Sequence, residues 1–314
     1  MKYFFCLTIG LLSDFILQAQ SKTIVVFEYC PAKQALKILN QDDVYTKSWG
    51  LFDLQSRSGD QCGKKSDILQ KRKQSTKNWD AEYRKKVEFL WKEILQRIPE
   101  TSIRFKLPAK IQLIQSSMQD EGGAIAYTRQ NCIVLKEKIF ENDALSLRKL
   151  LLHELFHVIS RYNPELRKDL YHILGFSLCN EIQLSDSLRN IQIANPDAPF
   201  KDNYIRLKYQ EEIKEYMMFL YTNRPYEGGS FFDYATVGLL EVTGNNSYKH
   251  VHQNYSILPP DAFPDFLIQT GNNTDYTIDP EEIAAEHFVL AILQEYEVPR
   301  PDLVRLFAER LIKK

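Results

Sequence analysis

His153-Glu154-Leu155-Phe156-His157 is the stretch that decides the fold. It lies in an apolar run, and its two histidines are four residues apart, so on a helix their rings lie on one face, one turn apart. Both rings can then point at the same metal ion. The carboxylate of Glu154 can reach the fourth coordination position, where a water lies when three protein ligands hold zinc.

The residues around this motif predict a buried helix from about residue 143 to residue 163, closed by Asn163-Pro164. A single buried histidine is usually a core side chain with a satisfied hydrogen bond. Two histidines at this spacing with a glutamate between them favour zinc ligands over that alternative. The sequence therefore predicts one Zn²⁺ per chain, on a helix whose apolar positions are Leu147, Leu150, Leu151, Leu155, Val158 and Ile159.

Zinc needs a third protein ligand, because catalytic sites use three and leave one position for water. The segment from Asp279 to Phe288 stands out, because Glu282 and Glu286 are four residues apart on a predicted helix. One carboxylate could ligate the metal while the other orients a ligand histidine. Helix capping is the alternative: Asp279 is a good N-cap, Pro280 a good first residue, and Glu282 falls at the capping-box position.

These motifs resemble the gluzincins, the thermolysin-like zinc metallopeptidases, in which H-E-x-x-H is followed by a helix that carries E-x-x-x-D/E. The resemblance implies that His153, His157 and Glu282 are zinc ligands and that Glu154 is the catalytic general base. It also implies that Glu286 hydrogen-bonds a ligand histidine, with His153 as the expected partner. The implied reaction is hydrolysis of a peptide bond in a peptide or protein substrate by a metal-activated water.

The resemblance also places an edge strand before the motif helix, where the substrate backbone adds as a further strand. Residues 123–129 stand in the matching position, and Ala124, Ala126 and Tyr127 are the expected contacts. The chain departs from thermolysin in the long separation between His157 and Glu282. Residues 175–279 are therefore expected to form a family-specific insertion.

The order of the predicted elements favours an α+β fold, mostly helical and zincin-like, with a small sheet before the motif helix and a long insertion before the third-ligand helix. We expect a signal peptide at residues 1–20, an N-terminal helical region at 21–105 and the catalytic domain at 106–314. The signal peptide rests on Lys2 and the apolar run that ends at Leu12, and it predicts a secreted or periplasmic protein. A buried N-terminal segment of a cytosolic protein is the alternative.

Periodicity and turn residues place the other elements. Strands are predicted at 24–29, 110–115 and 124–135, the last broken at Asn131. Helices are predicted at 31–40, 80–98, 164–174, 280–296 and 301–314. Residues 42–77 are polar and are expected to be irregular, residues 175–244 to mix short strands with turns, and residues 245–279 to form a loop region.

Several side chains are candidates for further roles in the site. A tetrahedral intermediate needs a donor near its oxyanion, and Arg129 could bind a substrate carboxylate. The alternatives are surface or packing roles for the donors and a solvated strand edge for Arg129. An aromatic run could line a pocket or pack in the core. The oxyanion candidates are His250, His252, Tyr255 and Tyr276, and the aromatic run comprises Tyr226, Phe231, Phe232 and Tyr234.

Composition limits the classes of partner. The formal net charge of −1 gives no global field that would attract nucleic acid. No stretch has the roughly 18–20 continuous apolar residues that a membrane span needs. Disulfides and free buried thiols are both open for the cysteines after residue 20, which are Cys30, Cys62, Cys132 and Cys179.

Two other functions stay open from the residues. One is a catalytically inactive protein that binds a peptide or polymer on a metallopeptidase scaffold. Glu154 argues against it, because a decayed site usually loses its base first. The other is hydrolysis of a different amide or ester. Peptide deformylases also carry H-E-x-x-H but use a cysteine as the third ligand, for which Cys132 and Cys179 are the candidates.

Overall fold

The computed structural model describes residues 25–98, 103–137, 139 and 143–313. The predicted signal peptide at residues 1–20 lies outside the described residues. Within them the chain forms an α+β structure with two sheets and eleven α-helices. The α+β class predicted from the sequence is therefore confirmed, and no helix of the described part is long and apolar enough to cross a membrane.

The first sheet draws its strands from a wide stretch of the chain before the motif helix. Its order is β1-β3-β5-β4, and β2 pairs with β3. The central pairs are parallel, whereas β4 runs antiparallel to β5 and forms an edge. Since β1 and β2 pair with β3, the predicted N-terminal region and catalytic domain share one sheet. The strands are β1 (Val26–Tyr29), β2 (Thr76–Lys77), β3 (Lys110–Ser116), β4 (Ala126–Arg129) and β5 (Cys132–Lys136).

The single strand predicted over residues 124–135 is two strands, β4 and β5, which turn at Gln130 and Asn131. Gln130 has a φ of 53°, in the left-handed region that tight hairpin turns require. The reversal makes β4 the edge strand. It also places β4 beside the motif helix, where the Thr128 hydroxyl contacts Glu154.

The region before the motif contains more helix than its sequence suggests. The prediction of irregular structure over residues 42–77 is wrong, because α2, α3 and α4 lie there. Their polar residues are buried in ion pairs, such as Arg57 with Asp53 and Arg72 with Asp120, both at 2.9 Å. Paired charges leave no apolar stripe for periodicity to detect. The helices are α1 (Ala32–Leu39), α2 (Val44–Ser48), α3 (Leu51–Ser58), α4 (Lys65–Ser75) and α5 (Ala81–Arg97).

Four helices close to their predicted bounds form the centre of the molecule: α6 (Ala144–Tyr162), α7 (Pro164–Ile173), α10 (Pro280–Leu293) and α11 (Pro301–Leu311). The motif lies on α6, which begins where Asp143 accepts hydrogen bonds from the backbone N–H groups of Leu145 and Ser146. These helices share one core with the first sheet. Its fully buried members include Leu151, Leu155, Ile159, Ile283, Phe288 and Phe307.

The predicted insertion contains a second, antiparallel sheet of order β10-β9-β8-β7-β6, with β11 on β9. One face joins the main core through Ile205 and Leu207, and the other forms a separate cluster that includes Tyr204 and Met217. Strands buried on both faces lack a clean alternation, so the sequence indicated only short pieces. The elements are β6 (Phe176–Leu178), α8 (Asp186–Ile191), β7 (Asn203–Tyr209), β8 (Glu212–Tyr221), β9 (Thr236–Gly244), β10 (Lys249–Val251), β11 (Ile257–Leu258) and α9 (Phe266–Thr270).

Candidate metal centre

Three side chains from two helices that are distant in sequence meet at one point. His153 and His157 lie one turn apart on α6, and Glu282 lies in the first turn of α10. The Nε2 atom of His153 is 2.9 Å from Oε2 of Glu282, and the Nε2 atom of His157 is 3.5 Å from the same oxygen. The ligand atoms of the three buried residues lie within 4.8 Å of one another. This cluster could hold a metal ion.

The hydrogen bonding of His157 tests whether these residues fit a metal. Its Nε2 atom is buried and has no hydrogen-bond partner among the described residues. A polar atom buried without a hydrogen bond costs about 1–3 kcal/mol, and the Glu282 oxygen at 3.5 Å is too far to make a good one. A tetrahedral zinc centre with bonds of about 2.0–2.1 Å places its ligand atoms roughly 3.3 Å apart, close to the two separations at Glu282. Two imidazoles and one carboxylate therefore fit zinc.

Each histidine is oriented by a carboxylate at its other ring nitrogen. Nδ1 of His153 is 2.8 Å from Oε1 of Glu286, the residue that the resemblance implies for this contact. Nδ1 of His157 is 3.2 Å from Oε1 of Glu281, a residue that the sequence analysis did not single out. These contacts favour the tautomer in which Nδ1 carries the proton and Nε2 is free to bind a metal.

Glu281 is held in turn by several buried groups. Its Oε2 accepts hydrogen bonds from Ser160 Oγ at 2.9 Å and from Tyr171 OH at 2.6 Å, and Arg167 Nε lies 3.5 Å away. Burial raises the pKa of Glu281, but the hydrogen bond and charge of His157 outweigh burial and lower the pKa. In the sequence Glu281 looks like an acidic residue that caps the start of a helix. No spacing distinguishes that role from a hydrogen bond to a histidine.

A loop residue, Asn195, holds Glu282, the predicted third ligand. Its Nδ2 donates a hydrogen bond of 2.6 Å to Oε1 of Glu282, while Oε2 of Glu282 faces the two histidines. The sequence marks Asn195 only as a turn residue before Pro196. Nothing in it connects this turn to a helix so far downstream.

The charges of the cluster act on one another. Burial lowers the pKa of His153, but hydrogen bonds with Glu282 and Glu286 outweigh burial and raise the pKa to about 10. Burial raises the pKa of Glu282, but the charge of His157 and the hydrogen bond with His153 hold that pKa well below its usual range. In the metal-free protein at neutral pH, His153 is therefore protonated and Glu282 is ionised.

Glu154 lies beside the ligands and lines the cleft next to them. Its Oε2 accepts a hydrogen bond of 2.7 Å from Thr128 Oγ1, which joins α6 to the edge strand β4. Burial is the largest cause that raises the pKa of Glu154. A carboxyl with a raised pKa suits a group that takes up and returns a proton near neutral pH.

A cleft of about 670 Å³ opens at the cluster. Ala124 and Ala126 line it, as predicted for the strand region, but Tyr127 does not. Successive side chains of a strand point to opposite faces, and Tyr127 is buried against Ile114 and Val134. The rest of the cleft wall is largely apolar and includes Ile125, Leu150, Phe232, Val289 and Leu290.

Of the four oxyanion candidates, Tyr276 alone lines the cleft. Its ring centroid is 6.0 Å from that of His153. Burial is the first cause that raises the pKa of Tyr276, and the charge of Glu282 adds to it. The phenol therefore keeps its proton and can donate a hydrogen bond.

The structure does not bring the other three oxyanion candidates to the cleft. His250 lies on β10, where its Nε2 contacts Thr243 Oγ1 at 3.1 Å. The backbone N–H of His252 donates to Glu241 O, and Tyr255 packs against the cluster on the second sheet. Because β10 pairs with β9, this part of the chain lies along the second sheet.

Arg129 and the aromatic run have mostly structural roles. Arg129 is buried and donates to Asp43 Oδ2 at 2.9 Å and to Leu39 O at 2.7 Å, so it is neither solvated nor directed at the cleft. Phe232 is half exposed and lines the cleft. The other aromatic residues pack around Phe52, and they are Tyr226, Phe231 and Tyr234.

The cysteines take no part in the cluster. The four described cysteines are free thiols, so no disulfide joins them. Sγ of Cys132 lies 3.1 Å from Gln112 Oε1, and Sγ of Cys179 lies 3.3 Å from the backbone oxygen of Asn180. Neither belongs to a group of potential metal ligands within the described residues. A deformylase-like cysteine ligand is therefore not found in that part of the chain.

Residues 113–164 match a protein-family model, that of the eCIS core domain, where eCIS stands for extracellular contractile injection system. This segment runs from β3 through the edge strand β4 to the residues after α6. It contains His153, Glu154 and His157 and ends before Glu282, and it covers well under half of the chain. No curated protein and no solved structure matches the chain.

Proposed function

We propose that the protein is a zinc-dependent metallopeptidase that hydrolyses peptide bonds in peptides or proteins. The observation that carries the proposal is the buried Nε2 of His157, which makes no hydrogen bond among the described residues and faces the same oxygen of Glu282 as Nε2 of His153 does. The zincin-like fold and the relationship to gluzincins belong to this proposal. Zinc, when bound, supplies a Lewis acid that lowers the pKa of a water and polarises a carbonyl group.

In the proposed reaction Glu154 takes up a proton and returns it to the departing amine. Thr128 holds Oε2 of this carboxylate, while Oε1 has no hydrogen bond among the described residues and is left for the proton. His153 and His157 are held in place through Nδ1. Tyr276 is the candidate donor to the developing oxyanion.

The edge strand supports the proposal, because the outer edge of an antiparallel pair presents unpaired N–H and C=O groups to an extended peptide. Ala124 and Ala126 line the cleft there, and their small side chains leave room for a substrate backbone. The eCIS core match also agrees with the proposal. It spans both the edge strand and the motif helix, and that domain is metallopeptidase-like in some families.

The variant Glu154→Gln tests the proposal. We expect zinc content to stay at about one ion per chain, because Glu154 is not a ligand. Peptide hydrolysis should fall roughly 10²- to 10⁴-fold, the usual contribution of a positioned acid or base. Metal analysis and mass spectrometry of peptide products measure the two quantities. Glu165→Gln, at an exposed position on α7, is the matched control and should retain full activity.

Two other outcomes would contradict the proposal. Stoichiometric zinc without hydrolysis of any peptide would favour the catalytically inactive, peptide-binding alternative. Purified protein that does not take up zinc would exclude the metal centre.

A further inference from the structure

The segment from Asn195 to Asp197 crosses the cleft next to the metal cluster. The backbone N–H of Asp197 donates to Asn195 Oδ1 at 2.9 Å. Arg161 donates to the backbone oxygens of Pro196 and Asp197, at 2.9 Å and 2.7 Å. The segment is therefore held to α6 by its main chain and not through the carboxylate of Asp197.

The carboxylate of Asp197 occupies the outer edge of β4 at Thr128, so the part of this edge that can pair with a peptide stops there. The backbone N–H of Lys136 donates to Ile125 O, so Ile125 and every second residue after it pair with β5. Ala126 and Thr128 therefore direct their backbone groups to the outer edge. The N–H of Thr128 is already taken, because it donates to Oδ1 of Asp197 at 2.5 Å. The N–H of Ala124 donates to Glu121 O, so an extended peptide can pair with the free N–H and C=O of Ala126 and then meets Asp197.

The cleft is divided at this point. Asp197 lines both the 670 Å³ cleft and a second cavity of about 400 Å³, so it stands between them. Gln130, Arg161 and Glu281 line the second cavity, on the far side of Asp197 from Ala124 and Ala126. A peptide bound along β4 therefore has its end at Asp197 as long as this residue stays in place.

Two acidic side chains, Asp197 and Glu154, lie close together at this end of the cleft. Asp197 is 9% exposed, and its second oxygen, Oδ2, has no hydrogen bond among the described residues. Ligand atoms of Asp197, Glu154 and His157 lie within 4.8 Å of one another. Carboxyl groups held this close to one another and to an open cleft suit a cationic group placed beside them.

We propose that Asp197 binds the free α-ammonium group of the substrate, so that the protein removes residues from the amino termini of peptides. This inference rests on the proposed function and narrows its substrate class. A charge-assisted hydrogen bond to a carboxylate that faces the cleft is the interaction that would recognise such a group. The apolar cleft wall, which includes Leu150 and Leu290, suits an apolar first residue.

A peptide that begins with leucine and its N-acetylated form test the inference on the zinc-loaded protein. We expect release of single residues from the free amino terminus. The acetylated peptide should react roughly ten- to a hundred-fold more slowly, because it lacks one hydrogen bond between charged groups. Equal cleavage of the two forms, or cleavage at internal bonds, would overturn the inference and leave the proposed function intact. Failure to cleave any peptide would overturn the proposed function, and this inference with it.

The variant Asp197→Asn separates substrate recognition from metal binding. We expect KM for the free-amine peptide to rise roughly ten- to a hundred-fold, with zinc affinity unchanged. Asp186→Asn, at an exposed position on α8, is the matched control and should change neither quantity. A large loss of zinc affinity in Asp197→Asn would overturn the inference, because Asp197 would then be a metal ligand.

A binding measurement needs no turnover. Leucine hydroxamate and N-acetyl-leucine hydroxamate carry the same zinc-chelating group and differ at the amine. Titration calorimetry on the zinc-loaded wild-type protein should show roughly ten- to a hundred-fold tighter binding of the free amine, and Asp197→Asn should remove the difference. Equal affinities for the wild-type protein would contradict the inference.

Discussion

At the scale of single residues, the two ring nitrogens of each histidine have different partners. The carboxylates of Glu286 and Glu281 occupy Nδ1 of His153 and of His157, and both Nε2 atoms face Glu282. A metal ligand fixed in this way loses little freedom when the ion binds. On the proposed zinc centre we therefore expect the outer carboxylates to affect metal affinity without touching the metal.

The variant Glu281→Ala tests this effect. The variant lacks the carboxylate that contacts Nδ1 of His157. We therefore expect the dissociation constant for zinc to rise roughly 10- to 100-fold. Competition with a chromophoric chelator measures the affinity. Glu165→Ala, on the exposed surface of α7, should leave the affinity unchanged. A folded Glu281→Ala protein with wild-type zinc affinity would show that the contact does not orient the ligand.

The members of the cluster were predictable from sequence only where spacing encodes them. The i, i+4 histidines and the adjacent Glu154 follow from helical geometry, and Glu282 was predicted from the need for a third ligand; these residues do lie together. Glu281, Asn195, Asp197 and Thr128 had no such signal. Their partners lie in other parts of the chain, so only the folded structure brings these atoms together.

At the scale of elements, the site depends on how closely α6 and α10 approach. Ala284 and Ala285, between Glu282 and Glu286 on α10, are completely buried. Small buried side chains allow helix axes to come close. The edge strand β4 completes the arrangement from the other side, since Thr128 contacts Glu154.

A larger side chain at this position should disturb both packing and metal binding. We expect Ala285→Leu to lower the free energy of unfolding by about 1–3 kcal/mol, the usual cost of overpacking. Zinc affinity should fall as well, because Glu282 is displaced from the histidines. Chemical denaturation and chelator competition measure the two effects. Ala81→Leu, at the exposed start of α5, should change stability by less than about 0.5 kcal/mol. Lower stability with unchanged zinc affinity would contradict this account of the helix pair.

Elements were predictable where an apolar segment of helical length begins at a capping residue, as for α6 after Asp143 and α10 after Asp279. The helices α2 to α4 were missed because buried ion pairs such as Arg57 with Asp53 replace an apolar stripe. The long strands of the second sheet were seen only as fragments, since both of their faces are buried.

At the scale of the whole molecule, the cluster joins α6 and α10 through charge as well as packing. In the metal-free protein a proton on His153 takes part in this contact, because hydrogen bonds with Glu282 and Glu286 raise its pKa from 6.5 to about 10. The folded state therefore binds this proton more tightly than the unfolded chain does. Its contribution to stability is fully present below pH 6.5 and is lost as the pH rises through about 10.

We therefore expect the free energy of unfolding of the metal-free protein to fall as the pH rises from neutral towards 10. Urea denaturation in the presence of a chelator measures it. The zinc-loaded protein should lose less stability over this range, because the metal replaces the protons. His153→Gln is the control and should have a flatter pH profile. A profile of the metal-free wild-type protein that is as flat as that of the variant would contradict the prediction.

By itself the sequence determined the α+β class, the motif helix and the helix that carries Glu282, and it predicted which three side chains would meet, because periodicity and spacing are local properties. Only the tertiary structure decided that β4 is an edge strand beside Glu154, that Glu281 and Asn195 hold the ligands, and that Asp197 stands across the cleft. These features depend on contacts between residues far apart in the chain. Such contacts form only when the core brings α6, α10 and the loops together, and no local pattern records them.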